Sequence, residues 1–150
     1  MSENQKMKLE DMLCFTIYAS SREITRLYRP VLSQFNLTYP QYLALVVLWE
    51  KEKCTVTELG DRLLLDSATL TPLLKRLEAS ELITRKRSLG DERKVEITLT
   101  KKGEELQADV EEVSLKIFTE LCQTEENYYK LMDINKNLLD KAHEIARKVR

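Results

Sequence analysis

Residues 63–103 read "LLLDSATLTPLLKRLEASELITRKRSLGDERKVEITLTKKG", and a change of hydrophobic period inside that stretch decides the fold. Leu70, Leu73, Leu74 and Leu77 recur at helical spacing, which predicts a helix over about 67–79 with one apolar face. Asp66 stands just before it as a candidate N-cap, and Leu65 and Leu70 are placed as its hydrophobic staple. Further on the period drops to two. Val95, Ile97 and Leu99 alternate with Lys94, Glu96 and Thr98, and together with "LITRKRS" they predict a half-exposed hairpin turning at "LGDE". Upstream, "TVTELGDRLL" carries Thr55 and Glu58 at capping-box spacing and gives a short helix to about Leu64. Two short helices in tandem, then a two-stranded hairpin, is the order of a winged helix-turn-helix.

Charge agrees with that order. The 150-residue chain has a formal charge of −1, yet residues 62–102 hold ten Lys/Arg against six Asp/Glu, a net of +4 that leaves −5 elsewhere. A basic segment in an acidic protein is the footprint of a part that meets phosphate. With the four leucines inward, Ser67, Ala68, Thr69, Thr71, Lys75 and Arg76 fall on the outer face or flanks of the second helix, where they suit bases and phosphates. The hairpin gathers Arg85, Lys86, Arg87, Arg93 and Lys94 around one tight turn, and Asp91 is placed to hold the Arg93 guanidinium. A solvated amphipathic helix and a hairpin charged against edge pairing account for these residues separately. Taken together, the helix pair and the wing favour double-stranded DNA as partner.

The rest of the chain reads as helix. Few Gly and Pro, three of each, suit a helix-rich protein with short connections, mainly α with a small β-hairpin wing. A helix over about 7–29 is followed by a turn or second segment around Pro30–Phe35. "NLTYPQYLALVVLWEKE" then opens a helix near Thr38 or Tyr39, with Pro40 in its first turn, too apolar on all sides to be exposed. After Thr100 come two long helices, the first with Leu106, Val110, Val113, Ile117, Phe118 and Leu121 on one side. No apolar run reaches the ~18 residues of a membrane span, and "MSENQKMKLEDM" has no signal-peptide pattern, so the expectation is a cytoplasmic protein.

Cys14, Cys54 and Cys122 show no CxxC spacing, and His143 is the only histidine, set among charged helix residues. Neither a metal site nor a cofactor is expected, and hydrolytic chemistry has few candidates. Cys54 reads as structural. In "MLCFTIYASSREITRLY", residues 12–28, Cys14, Tyr18, Ser21, Thr25 and Tyr28 fall within about 40° of one direction on a helix, a semi-polar stripe. Taken alone, Cys14 reads as a small buried hydrophobe, and Tyr18 and Trp49 read as core.

Residues 63–103 also resemble the recognition helix, wing and following helix start of MarR-type transcriptional regulators, including the DxR of the wing at Asp91 and Arg93. "LCFTIYASSREITRLYRPVLSQFNLTYPQYLALVVLWE" is similar to the organic-hydroperoxide-sensing branch of that family, so the resemblance spans most of residues 9–103 and, more loosely, the C-terminal helices. Ala68 departs from it, standing where that branch usually carries Gly, and Pro72 fits it but is expected to loosen the first turn of its helix. The resemblance implies a single MarR-type domain over 1–150, with a winged part at about 37–100 and dimerisation helices at about 7–36 and 101–150. It implies a homodimer on a pseudo-palindromic operator, a repressor and not an enzyme, that releases DNA on oxidation. Cys14 would be the redox sensor, in a pocket with Tyr18, Tyr28 and Tyr39, the last two reaching it across the dimer interface. Some members of the branch resolve the oxidised thiol with a second cysteine of the partner subunit, which points to Cys122; others use a low-molecular-weight thiol. Two alternatives stay open: a MarR-type sensor of a small phenolic ligand with Cys14 idle, and a thiol peroxidase, which would leave the basic wing unexplained.

Overall fold

Three capping side chains divide the middle of the chain. In the computed structural model, which describes residues 8–91 and 93–149, Thr38 starts α3 (Tyr39–Lys51) with a capping box in which Gln41 Oε1 accepts from the Thr38 N–H at 2.8 Å. Thr55 starts α4 (Val56–Leu63). Its Oγ1 accepts from the Glu58 N–H at 3.2 Å while Glu58 Oε2 accepts from the Thr55 N–H at 2.7 Å. Asp66 starts α5 (Ser67–Ala79) by accepting from the Thr69 N–H at 2.7 Å. Each such cap contributes about 1 kcal/mol. Between α4 and α5 the backbone turns sharply through Leu64, in the left-handed region at φ 55°. A Cβ on Gly60 would lie 2.9 Å from the Leu65 carbonyl oxygen and 3.0 Å from Leu70 Cδ1, so the absence of a side chain there lets α5 close onto α4.

The wing strands β2 (Ile83–Arg87) and β3 (Val95–Leu99) form the expected hairpin, but the sheet has a third strand. β1 (Lys53–Thr55) pairs with the other edge of β3, giving the antiparallel order β1-β3-β2 with Cys54 and Arg85 both opposite Ile97. Three residues are too few to display an alternation in sequence, so β1 exists only through its pairing. Cys54 is thereby buried, and loss of solvent pushes its thiol pKa up, the setting of an inert packing cysteine.

α3 is the central helix, as its composition predicts. Ala44, Leu45 and Leu48 of α3 are fully buried along with Leu59, Leu70, Leu74, Leu77, Ile83 and Ile97 from the elements around it. The start of α6 (Lys101–Cys122) is fixed to this core at Gly103. Trp49 Nε1–H donates to the Gly103 carbonyl at 2.9 Å, and a Cβ on Gly103 would drive into the Leu82 carbonyl oxygen and press on Leu99 Cδ2 at 3.1 Å. Gly103→Ala is expected to cost about 1–3 kcal/mol of stability through this backbone clash; an unchanged denaturant midpoint would show that the junction yields instead.

The N-terminal helix differs from its expected span. A 3₁₀ turn at Leu9–Asp11 and extended backbone at Met12 precede α1 (Leu13–Leu27), so Cys14 lies in the first turn of a helix, not two turns inside one; a start near residue 7 falls outside the described residues. A break at Tyr28 separates α1 from α2 (Arg29–Leu32), with Pro30 in its first turn, where a missing N–H costs nothing.

Two compact units result, Met1–Glu111 and Glu112–Arg150. In the second, the Thr124 side chain caps α7 (Glu125–Lys148) by accepting from the Asn127 N–H at 3.2 Å, and Phe118 meets Tyr128 edge-on at 5.4 Å. Ile117 is buried, but Phe118 and Leu121, the end of the predicted apolar stripe of α6, are exposed, as are Leu131, Ile134, Leu139 and Ile145 of α7. Among the described residues, no helix is long and apolar enough to cross a membrane.

Candidate nucleic-acid interface and thiol site

The outward face of α5 follows from which side its leucines take. Leu70, Leu73, Leu74 and Leu77 are buried, which leaves Ser67, Ala68, Thr69, Thr71, Lys75 and Arg76 exposed together. Pro72 does not break the helix as a loosened first turn would; α5 runs continuously through it, and Thr71 Oγ1–H donates to the Ser67 carbonyl at 2.7 Å. One surface thus offers small hydroxyls at its start and two cations a turn later, the chemistry that base edges and flanking phosphates require.

The wing divides its arginines between two tasks. Arg87, Arg93 and Lys94 are exposed. Arg85 is not free in the same way: its Nε–H donates to Glu78 Oε2 at 2.9 Å and its backbone N–H to Glu78 Oε1 at 3.1 Å, and the guanidinium holds the Glu78 carboxyl below the usual carboxylate range. Arg85 therefore ties β2 to the end of α5. Asp91 also acts otherwise than expected. Its carboxylate accepts from the backbone N–H of Arg93 at 3.1 Å, and its carbonyl from the Lys94 N–H at 2.9 Å, so what it fixes is the turn.

The candidate sensor residues fall into two groups. Cys14 is exposed in the first turn of α1. Tyr18 is 59% exposed with the Arg22 guanidinium 5.5 Å from its ring centre, a surface position that corrects the reading of it as core. Tyr28 and Tyr39 come together at 5.0 Å in an edge contact, and Tyr42 packs against both, with Trp49 beyond it. Beside them a cleft of about 560 Å³ opens between Thr25, Arg29, Leu32, Leu37, Thr38 and Tyr39. Burial, then the neighbouring Tyr28 and Tyr42, pushes the Tyr39 pKa up to about 12, so its phenol stays a proton donor. Because the folded value lies above the ordinary phenol value of 10.0, the stability contributed by the neutral phenol is present below pH 10 and lost as the pH rises through about 12. Alkaline titration of phenolate absorbance is expected to lose a late-titrating component in Tyr39→Phe; a high-pH limb unchanged by Tyr39→Phe would contradict the burial argument.

Cys122, half-exposed, is the last residue of α6, and its carbonyl accepts from the Thr124 N–H at 2.7 Å and from Asn127 Nδ2 at 3.1 Å. His143 lies on the exposed surface of α7, in keeping with a solvated position. Sequence reasoning missed Glu78, β1 and the Trp49–Gly103 link, since each depends on a partner that no local spacing announces.

Residues 26–110 match the model of the family described as "Transcriptional regulator SarA/Rot". The chain belongs to this family. Relatives similar to it include the organic hydroperoxide resistance transcriptional regulator of Bacillus subtilis, 49% identical over 92% of this chain and 94% of the relative. Among solved structures, reduced AbfR bound to DNA is 38% identical over 89% of this chain and 93% of its own, with a TM-score of 0.72, and the same protein is known in a disulfide-formed state, 37% identical with a TM-score of 0.68. The winged-helix fold itself is shared with a MarR mutant of E. coli complexed with operator DNA, at a TM-score of 0.80 and 24% identity. Like its curated relative, and as the family description states, the chain is a transcriptional regulator and not an enzyme.

Proposed function

We propose that this SarA/Rot-family protein is a homodimeric, redox-sensing repressor that holds duplex DNA through α5 and the wing and releases it when an organic hydroperoxide oxidises Cys14. The observation that carries the reading is the contrast between thiols: Cys14 is exposed at a helix start, whereas Cys54 is sealed in the sheet. Residues 37–100 serve as the DNA-binding part and residues 7–36 and 101–150 as dimerisation helices. Exposed Leu13, Phe15 and Ile17 of α1 and the apolar residues along α7 support a second copy of the chain as the surface that covers them. Tyr28 and Tyr39 of the partner subunit would supply phenol donors to the thiol.

The chemistry balances in two steps. The Cys14 thiol attacks one peroxide oxygen, the O–O bond breaks, an alcohol leaves and the sulfur becomes a sulfenic acid, reduced hydroperoxide for oxidised thiol. A second thiol then displaces water to give a disulfide. We assign that thiol to Cys122 of the partner subunit, with a low-molecular-weight thiol as the other source. DNA release reports the outcome. Wild-type protein mixed with a duplex selected from a random-sequence pool should shift it when reduced and free it after cumene hydroperoxide; a complex untouched by oxidant overturns the redox reading. The cleft beside Tyr39 and Arg29 favours a second reading, a small phenolic ligand seated there, and salicylate releasing DNA from Cys14→Ser would establish it.

A further inference from the structure

We propose that Leu89, at the tip of the wing, is an apolar DNA contact that wedges into the minor groove and gives the protein a preference for easily unstacked steps. The inference rests on the DNA-binding reading above. "RKRSLGDERK", residues 85–94, is otherwise Ser, Gly or charged, and Leu89 is its one apolar residue. At 106% it is also the most exposed large hydrophobic side chain among the described residues. Beside it, a Cβ on Gly90 would meet nothing within 4 Å, so the tip projects into open space.

A lone exposed leucine is common and by itself means nothing. Two features give this one a direction. First, the base of the turn is pinned: the Ser88 N–H donates to the Lys94 carbonyl at 2.8 Å, Ser88 Oγ–H to Glu96 Oε1 at 2.8 Å, and the Lys94 N–H to the Asp91 carbonyl at 2.9 Å. The backbone that presents Leu89 therefore has less conformational freedom to lose on binding than an unbonded loop. Second, exposed Arg87, the last residue of β2, and exposed Arg93 and Lys94, just before β3, stand on either side of it along the chain. Cations seated on phosphates either side of a groove about 6 Å wide leave the tip between them facing its floor. Leucine is among the side chains that enter there, partly unstacking a base step, and the T–A steps of an A·T duplex yield at least cost.

Binding of wild type, Leu89→Ala and Leu89→Met to alternating A·T and alternating G·C duplexes, followed by fluorescence anisotropy across a salt series, tests this. Leu89→Ala should bind the A·T duplex about fivefold more weakly, from the apolar area lost, and the G·C duplex within about twofold. Leu89→Met should keep wild-type affinity. The salt slope should match in all three, because leucine displaces no counterion. A 2-aminopurine at a T–A step should brighten with wild type and Leu89→Met but not with Leu89→Ala. Equal affinity of Leu89→Ala and wild type, an equal loss on both duplexes, or a lowered melting temperature of Leu89→Ala would overturn the proposal. Failure of wild type to bind either duplex would instead overturn the DNA-binding reading itself.

Discussion

Cys14→Ser is expected to bind DNA as the reduced wild type does, within about twofold, and to keep hold of it in the presence of cumene hydroperoxide, where wild type loses affinity by about 100-fold. Serine preserves the size of the side chain and one hydrogen-bonding group, so an exposed first-turn position tolerates it; what it removes is the only atom there that can take an oxygen from the peroxide. Sulfenic acid formation and its capture by a second thiol alter a helix that carries several exposed apolar residues, and the displacement is thereby placed where a dimer interface would feel it. Non-reducing electrophoresis separates the two capturing thiols. A covalent dimer from wild type, missing from both Cys14→Ser and Cys122→Ser, assigns the bridge to Cys122 and requires the two Cα atoms to come within about 7 Å. A wild-type band that remains monomeric but gains the mass of a small thiol assigns the capture to that thiol. Release of DNA from Cys14→Ser by hydroperoxide would remove Cys14 from the mechanism.

Arg93→Ala should weaken binding to the selected duplex by about 100-fold, taking about tenfold for each of the two wings of a dimer, with no change in melting temperature. Arg93 is exposed and its side chain is placed to reach the phosphates that border a minor groove, while the backbone beneath it is fixed by Asp91. The salt slope should fall with it, since the lost guanidinium no longer displaces counterions. Asp91→Ala should do less, because it loosens the turn and leaves every cation in place. Arg85→Ala should behave differently from Arg93→Ala: it releases Glu78 and detaches β2 from α5, so stability falls along with affinity. Equal losses for Arg85→Ala and Arg93→Ala, with neither destabilised, would contradict that division of tasks.

Much of this protein is determined by short-range features that a sequence displays openly. Asp66 and the Thr55–Glu58 box fix where the paired helices start because a cap needs only three residues. Leu70, Leu73, Leu74 and Leu77 fix which face of α5 turns inward because helical periodicity is a property of one element, and the alternation of Val95, Ile97 and Leu99 fixes the wing for the same reason. Lys75 and Arg93 follow as outward-facing cations.

What only the tertiary structure decided are the relations between elements. β1 is too short to stand without β3, so the three-stranded sheet and the burial of Cys54 come from pairing across forty residues. Arg85 leaves the row of free wing cations because Glu78, seven residues back, meets it around the end of α5. Gly103 is required by the carbonyl of Leu82, and its own carbonyl is held by the indole of Trp49, neither of them a sequence neighbour. Tyr28 and Tyr39 become one ring cluster, and Tyr18, on the same helical stripe as Tyr28, does not, because the break between α1 and α2 turns Tyr28 into the core while α1 leaves Tyr18 on its surface. Local periodicity assigns a residue to a face; the partner that the fold brings to that face determines whether the residue packs, pairs or is left for a ligand.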